Sequence, residues 1–263
     1  MLVSHETPIA YLEASRAYND YDYCLVHLCD EHPEYLQFFK DSLRQGREVL
    51  LDNSIFELGE AYDPIKFAER IEEIQPTYYV VPDVLEDAQS TITNWWAWSE
   101  AYSNLPGLKI GVVQGKTYND LLECYKFMAD KADYIAISFD YSYYKIIGVG
   151  SSDLEKWMTG RTEFISRLCK DGVWRYDKPH HLLGCSLARE FKQYRGLSGI
   201  RSLDTSNPVT SALAGERYLK GIGLHDHKPP VKLADQITAE YDLDTERLIM
   251  DNCREFKNIL LSL

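Results

Sequence analysis

The strongest constraint on this chain is a repeated alternation. Short apolar runs at residues 23–28, 49–52, 77–81, 108–113, 133–137, 181–185 and 200–203 are each followed by a segment with helical spacing. A strand covered on both faces reads as an unbroken apolar run, which is the pattern of a parallel sheet. Strands that alternate with helices build βα units. The intervening signals agree with this reading. Pro33 suits the first turn of a helix over 33–45 and Gly46 suits its end. Asp63 is placed to cap a helix over 63–74 that Pro76 closes. Further helices are expected over 86–102, 118–131, 153–169, 187–194, 209–218 and 244–263, with loops over 141–152 and 221–230. Only seven strands are legible, and no eighth stands out.

Alternation of this kind over 263 residues fits a single domain, 1–263, with the α/β fold of a (β/α)8 TIM-like barrel. No G-x-G-x-x-G follows the first apolar run, which argues against a dinucleotide-binding sheet. No apolar stretch approaches the ~18 residues of a membrane span, so no membrane partner is expected. The first residues, Met-Leu-Val-Ser-His-Glu-Thr, carry no apolar run, so no signal peptide is expected and the cytoplasm is the expected compartment. The six cysteines form no C-x-x-C pair and are expected to be reduced thiols.

Charge limits the partners. The net charge is −13, which excludes a general nucleic-acid binder, because phosphate contacts need Lys and Arg. The balance is uneven, however. Residues 1–143 carry a net of −15, and residues 144–232 a net of +6. The second half can therefore present a local phosphate-binding face, with Arg189, Lys192, Arg195 and Arg201 as candidates. Solvated helix charge is the alternative reading of these four.

Barrel enzymes place their chemistry at the carboxyl ends of the strands. Those ends here carry Asp52, Asp83, Gln114, Ser138 with Asp140, Gly184 with Cys185, and Asp204. One Asp in such a place is ordinarily a helix cap. Three Asp residues and a Gln expected at one mouth suggest chemistry. An Asp beside a Gln offers the donor–acceptor edge that matches a planar heterocycle such as a purine. Phe56 can stack on such a ring or belong to the core. A separate carboxylate can attack an anomeric carbon while another moves the proton. Clustered carboxylates also bind metals, and His225-x-His227 around Asp226 is a weak metal candidate. With only His27 and His181 expected on strands, no metal site and no cofactor are assigned. The tryptophans Trp95, Trp96 and Trp98 are read as helix packing residues.

Several segments resemble, in order, the queuine/archaeosine tRNA-guanine transglycosylases. Gly111-Val-Val-Gln114-Gly115 is similar to that family's V-Q-G-G segment, and Lys178-Pro-His-His-Leu-Leu-Gly184 to its K-P-H-Y-L-M-G segment. Ile200-Arg-Ser-Leu-Asp204 resembles the strand that carries the nucleophilic Asp, with Pro208 standing for a proline just beyond. Leu51-Asp52-Asn-Ser-Ile-Phe56 resembles the D-S-G-G-Y-Q loop, and Asp83 falls at the base-recognition Asp. The matches span residues 49–208. The resemblance implies that Asp204 attacks C1′ and expels guanine, with Asp52 as general acid/base. Asp83 and Gln114 would grip the base edge, and Phe56 and Leu183 would flank the ring. Gly115, Ser138 and Gly184 would line the pocket.

The chain also departs from that family. The G-G-L-A-V-G-E run is Ile137-Ser-Phe-Asp-Tyr-Ser-Tyr here, and the basic, Gly-rich continuation after the nucleophile is Thr205-Ser-Asn-Pro-Val. The C-x-C-x-x-C…H motif of the zinc subdomain does not occur in these 263 residues, and no RNA-binding C-terminal domain is expected. In these respects the chain is more similar to the short phage and bacterial DNA-guanine transglycosylases. That resemblance implies replacement of guanine in DNA by a 7-deazaguanine such as preQ0, with DNA as partner and a helper protein as a source of DNA affinity. The same exchange on tRNA, a non-catalytic barrel that binds nucleic acid or protein, and a metal-dependent hydrolase remain open as alternatives.

Overall fold

A computed structural model describes residues 1–224 and 227–262. The elements run β1 (Leu2–His5), α1 (Leu12–Ser15), β2 (Asp22–Leu25), α2 (Val26–Glu31), α3 (Pro33–Arg44), β3 (Val49–Asp52), α4 (Ile55–Leu58) and α5 (Pro64–Ile74). They continue β4 (Tyr78–Val80), α6 (Ala88–Ala101), β5 (Leu108–Val113), α7 (Tyr118–Lys131), β6 (Tyr134–Ile137), α8 (Ser142–Ile147) and α9 (Asp153–Lys170). The last are β7 (His180–Leu182), a 3-10 helix at Ala188–Tyr194, β8 (Ile200–Thr205), α10 (Asn207–Leu213) and α11 (Leu243–Leu261). The eight strands form one sheet in the order β1-β8-β7-β6-β5-β4-β3-β2. The ladders β1–β8, β2–β3, β3–β4, β4–β5 and β5–β6 are all parallel. Sequential strand order with helices between parallel strands is that of an α/β TIM-like barrel.

The missing strand lies at the start of the chain. Leu2–His5 pairs with β8, Ser4 opposite Asp204 and His5 opposite Thr205. The seven strands read from sequence are therefore β2 to β8. The run at 23–28 also changes character: β2 ends at Leu25 and His27 lies on α2, so His27 is not a strand histidine. Within 141–152, expected as loop, Ser142–Ile147 is helical. The helix expected over 209–218 is Asn207–Leu213, and the one expected over 187–194 is a 3-10 helix.

Two compact units divide the chain. One comprises 1–20, 139–174 and 182–263, and the other 21–138 and 175–181. In the second unit all four residues of β3 are buried, as are those of β6, which is why both read as unbroken apolar runs. Helix α5 turns Phe67, Ala68, Ile71 and Ile74 inward, the spacing of one helical face. Its start is fixed by Asp63, whose carboxylate accepts from the amides of Ile65 and Lys66. Helix α7 begins with a capping box between Thr117 and Asp120. Trp98 and Tyr79 pack around Phe67, whereas Trp96 is exposed beneath Lys131.

The first unit is held by Tyr11, Tyr18, Val209, Ala212, Ile249 and Cys253, and by a second cluster of Phe139, Leu154, Met158 and Leu187. Helices α8 and α9 meet there backbone to backbone. A Cβ added at Gly160 would lie 2.2 Å from the Tyr144 carbonyl oxygen. Gly160→Ala should therefore force α8 away and lower the unfolding free energy by about 1–3 kcal/mol. Urea denaturation followed by circular dichroism measures this. An unchanged midpoint would show that the two helices separate without cost.

Candidate active site

In the second unit, three neighbouring strands bring their ends to one carboxylate. Asp83 follows β4, with β3 on one side and β5 on the other. Asn53, just past β3, donates from Nδ2 to Asp83 Oδ1 at 2.7 Å. Gln114, just past β5, donates from Nε2 to Asp83 Oδ2 at 2.6 Å. The Gln114 amide is itself oriented, because its Oε1 accepts from the Glu86 backbone N–H at 2.7 Å. Glu86 adopts a left-handed φ of 54° to present that N–H. Asn53, Asp83 and Gln114 are all buried.

Asp52 and Asn53 also shape the turn out of β3. Asp52 Oδ2 accepts from the Ser54 amide at 2.8 Å, and Asn53 Oδ1 from the Ile55 amide at 3.0 Å. These two Asx turns hold Ser54 at φ 58°, a conformation that a serine seldom adopts unaided. Helix α4 follows at once and carries Phe56, which is 61% exposed. Phe56 is thus not a core residue. Gly115 has a packing reason of its own: a Cβ there would lie 2.8 Å from the Leu121 amide nitrogen. Ser138 is half-buried just past β6.

The Asp83 carboxyl is pushed above its ordinary value of 3.8 by burial, against the hydrogen bonds from Asn53 and Gln114 that favour the anion. Both partners are neutral donors. They satisfy the oxygens without supplying the charge that would offset desolvation.

In the first unit, Asp204 is the fifth residue of β8 and is buried. Both of its oxygens accept from the Gly184 backbone N–H, at 3.1 and 3.2 Å. Gly184 sits at φ +60°, a conformation that favours glycine. The Thr205 hydroxyl donates to the Cys185 carbonyl, and its oxygen accepts from the Asn207 amide at 3.1 Å. This ties the end of β8 to the segment after β7. Pro208 then opens α10, where its lack of an N–H costs nothing.

Behind Gly184 lies a buried ion pair. The Arg161 guanidinium donates from Nε and Nη2 to the two Glu190 oxygens, each at 2.8 Å, and from Nη1 to the Leu183 carbonyl at 3.0 Å. Tyr194 donates to Glu190 Oε1 at 2.5 Å, and the Phe139 ring lies 4.9 Å from the guanidinium carbon. Burial draws the Arg161 pKa down, but the charge and hydrogen bonds of Glu190 more than offset this and raise it, so the guanidinium stays charged.

Of the four basic candidates, Arg189 and Lys192 lie on the 3-10 helix, Arg195 caps its end and Arg201 lies on β8. Arg189 pairs with Glu155 at 2.6 Å, and Lys192 and Arg195 are exposed. Arg201 is exposed near the amino end of β8, three residues before Asp204, hence roughly 10 Å away along the strand. His225 and Asp226 lie outside the described residues, and His227 pairs with Glu216 at 2.9 Å. Among the described residues no group of three or more His, Cys, Asp or Glu side chains is placed to hold a metal ion. No described helix is long and apolar enough to cross a membrane.

The expected residues thus fall into two sets. Asp83 and Gln114 are in direct contact, as are Gly184 and Asp204. Asn53, Arg161 and Glu190 escaped the reading of the sequence. For Asn53 there was a signal, an amide directly after a strand-end Asp, whereas nothing local marks Arg161 or Glu190. No protein-family model matches the chain, and no curated protein sequence does.

The state of Asp83 is measurable. A raised pKa means that its contribution to stability is fully present below the unfolded value and is lost as pH rises through the folded one. The unfolding free energy of the wild type minus that of Asp83→Asn should therefore fall as pH rises from about 3 to 7. Urea titrations at a series of pH values give this difference, and an increase with pH would contradict the assignment.

Proposed function

We propose that the protein is a base-exchanging glycosyltransferase that replaces guanine in DNA with a 7-deazaguanine of the preQ0 type, through a covalent Asp204–glycosyl intermediate. The observation that carries this reading is the buried Asp204 carboxylate, set at the carboxyl end of a parallel strand and bonded to a backbone amide. A carboxylate oriented in this way is suited to attack on an electrophilic carbon. The buried Asn53–Asp83–Gln114 set supports the substrate class. Its carboxylate and amide groups match the N–H and C=O edge shared by guanine and 7-deazaguanine.

In the proposed sequence an Asp204 oxygen forms a bond to C1′ as the C1′–N9 bond breaks, and the electron pair leaves with guanine. Asp52 supplies the proton that the departing base takes up. The incoming 7-deazaguanine gives its N9 proton to Asp52, and N9 attacks C1′ to displace Asp204. The sugar thus keeps its configuration after two inversions. Asp83 and Gln114 hold the base edge, and the exposed Phe56 ring stacks on it. Extruding a base from a duplex costs a few kcal/mol, which binding must supply. The acidic balance of the chain leaves DNA affinity to Lys192, Arg195 and neighbouring groups or to a helper protein.

Two experiments test the reading. Asp204→Ala should abolish incorporation of labelled preQ0 while its circular dichroism spectrum stays native. Incorporation at the wild-type rate would rule out Asp204 as the nucleophile. Incubation of the protein with labelled preQ0 and either duplex DNA or tRNA should label the DNA. Label confined to tRNA would assign the same chemistry to the other polymer.

A further inference from the structure

The peptide group between Leu183 and Gly184 is held at both ends. Its carbonyl oxygen accepts from Arg161 Nη1 at 3.0 Å, and its N–H donates to both Asp204 oxygens. A trans peptide is planar and its C=O and N–H point in opposite directions, so fixing the oxygen fixes the N–H. The group also lies between a buried cation and a carboxylate, and each polarises the hydrogen bond made by the other. Without the clamp the peptide would be free to rotate, because Gly184 at φ +60° has no side chain to resist a flip. Arg161 has little freedom of its own. Glu190 takes two of its nitrogens, Tyr194 completes Glu190, and Phe139 covers the guanidinium.

We infer that Arg161, fixed by Glu190, is a positioning residue that holds the Leu183–Gly184 peptide so that its N–H orients the Asp204 carboxylate. The consequence for catalysis rests on the reading of Asp204 as the nucleophile; the positioning itself does not. A lysine at 161 is a point charge and cannot reproduce a bidentate contact together with a third bond to a carbonyl.

The test uses the full chain, labelled with nitrogen-15, and follows the Gly184 amide resonance. Asp204→Ala provides the position of that resonance without its acceptor. In Arg161→Lys the resonance should move toward that position and the amide hydrogen should exchange faster with solvent. The kcat for base exchange should fall by about 10- to 100-fold, with the KM for preQ0 changed much less, as for a misplaced reacting group. Tyr194→Phe removes one hydroxyl and no charge, so it remains available if Arg161→Lys does not fold. It should move the resonance in the same direction by a smaller amount. A Gly184 resonance at its wild-type position in folded Arg161→Lys, or in Tyr194→Phe if the lysine variant is unfolded, overturns the inference. If the wild type exchanges no base at all, the proposed function fails while the amide measurement still decides the positioning. If exchange is robust and the resonance does not move, the inference alone fails.

Discussion

Parallel pairing is the constraint on which the remaining structure depends. In a parallel ladder neighbouring strands end on the same side, about 4.8 Å apart. In the unit that holds β2 to β6, this lets residues just past β3 and β5 reach the same carboxylate just past β4 from either side. Asn53 and Gln114 take one oxygen of Asp83 each. An antiparallel neighbour would have delivered a strand start there and placed one of the donors at the far end. In the other unit the β1–β8 register sets Ser4 beside Asp204. The segment after β7 supplies the amide that Asp204 accepts.

Burial then decides how each polar group is satisfied. Asp83 is bonded to the neutral donors Asn53 and Gln114, and burial raises its pKa above the ordinary value of 3.8. Arg161 and Glu190 are equally buried but opposite in charge, and the guanidinium remains a cation. A buried ion pair is a poor source of net stability, because desolvation offsets most of the attraction. Its value lies in geometry, since three of the Arg161 nitrogens have defined acceptors and only one arrangement satisfies them. The two sets therefore suit different tasks. A neutral-partnered carboxylate can exchange donors with a ligand, whereas a saturated ion pair can only hold something still.

Much of the fold was legible because it rests on local signals. Apolar runs marked β2 to β8, Asp63 marked the start of α5, and the bounds of β3, β5 and α7 follow directly from their runs and helical spacing. Strand β1 was not legible. It has two apolar residues, Leu2 and Val3, followed by Ser4 and His5, which are buried although polar. Burial of that kind depends on partners elsewhere: His5 is bonded to Asn19 through both its backbone and its ring. Helix α8 was hidden for a related reason. Its Tyr and Ser residues read as loop, and its place is set by the glycines that let α9 approach.

The sequence by itself marked which residues stand at or shortly past strand ends, because apolar periodicity is a local property of the chain. It thereby singled out Asp52, Asp83, Gln114, Gly184 and Asp204, although β7 is His180–Leu182 rather than 181–185, so Gly184 and Cys185 lie past it. Only the tertiary structure decided what those residues touch. Asp83 and Gln114 are 31 residues apart and Arg161 and Glu190 are 29 apart, and no periodicity relates such pairs. The same holds for Phe56, whose exposure follows from a helical turn built on two Asx bonds, and for Arg201, which lies at the opposite end of the strand from Asp204. Contacts of this range arise from the packing of whole elements, so they appear only once the chain has folded.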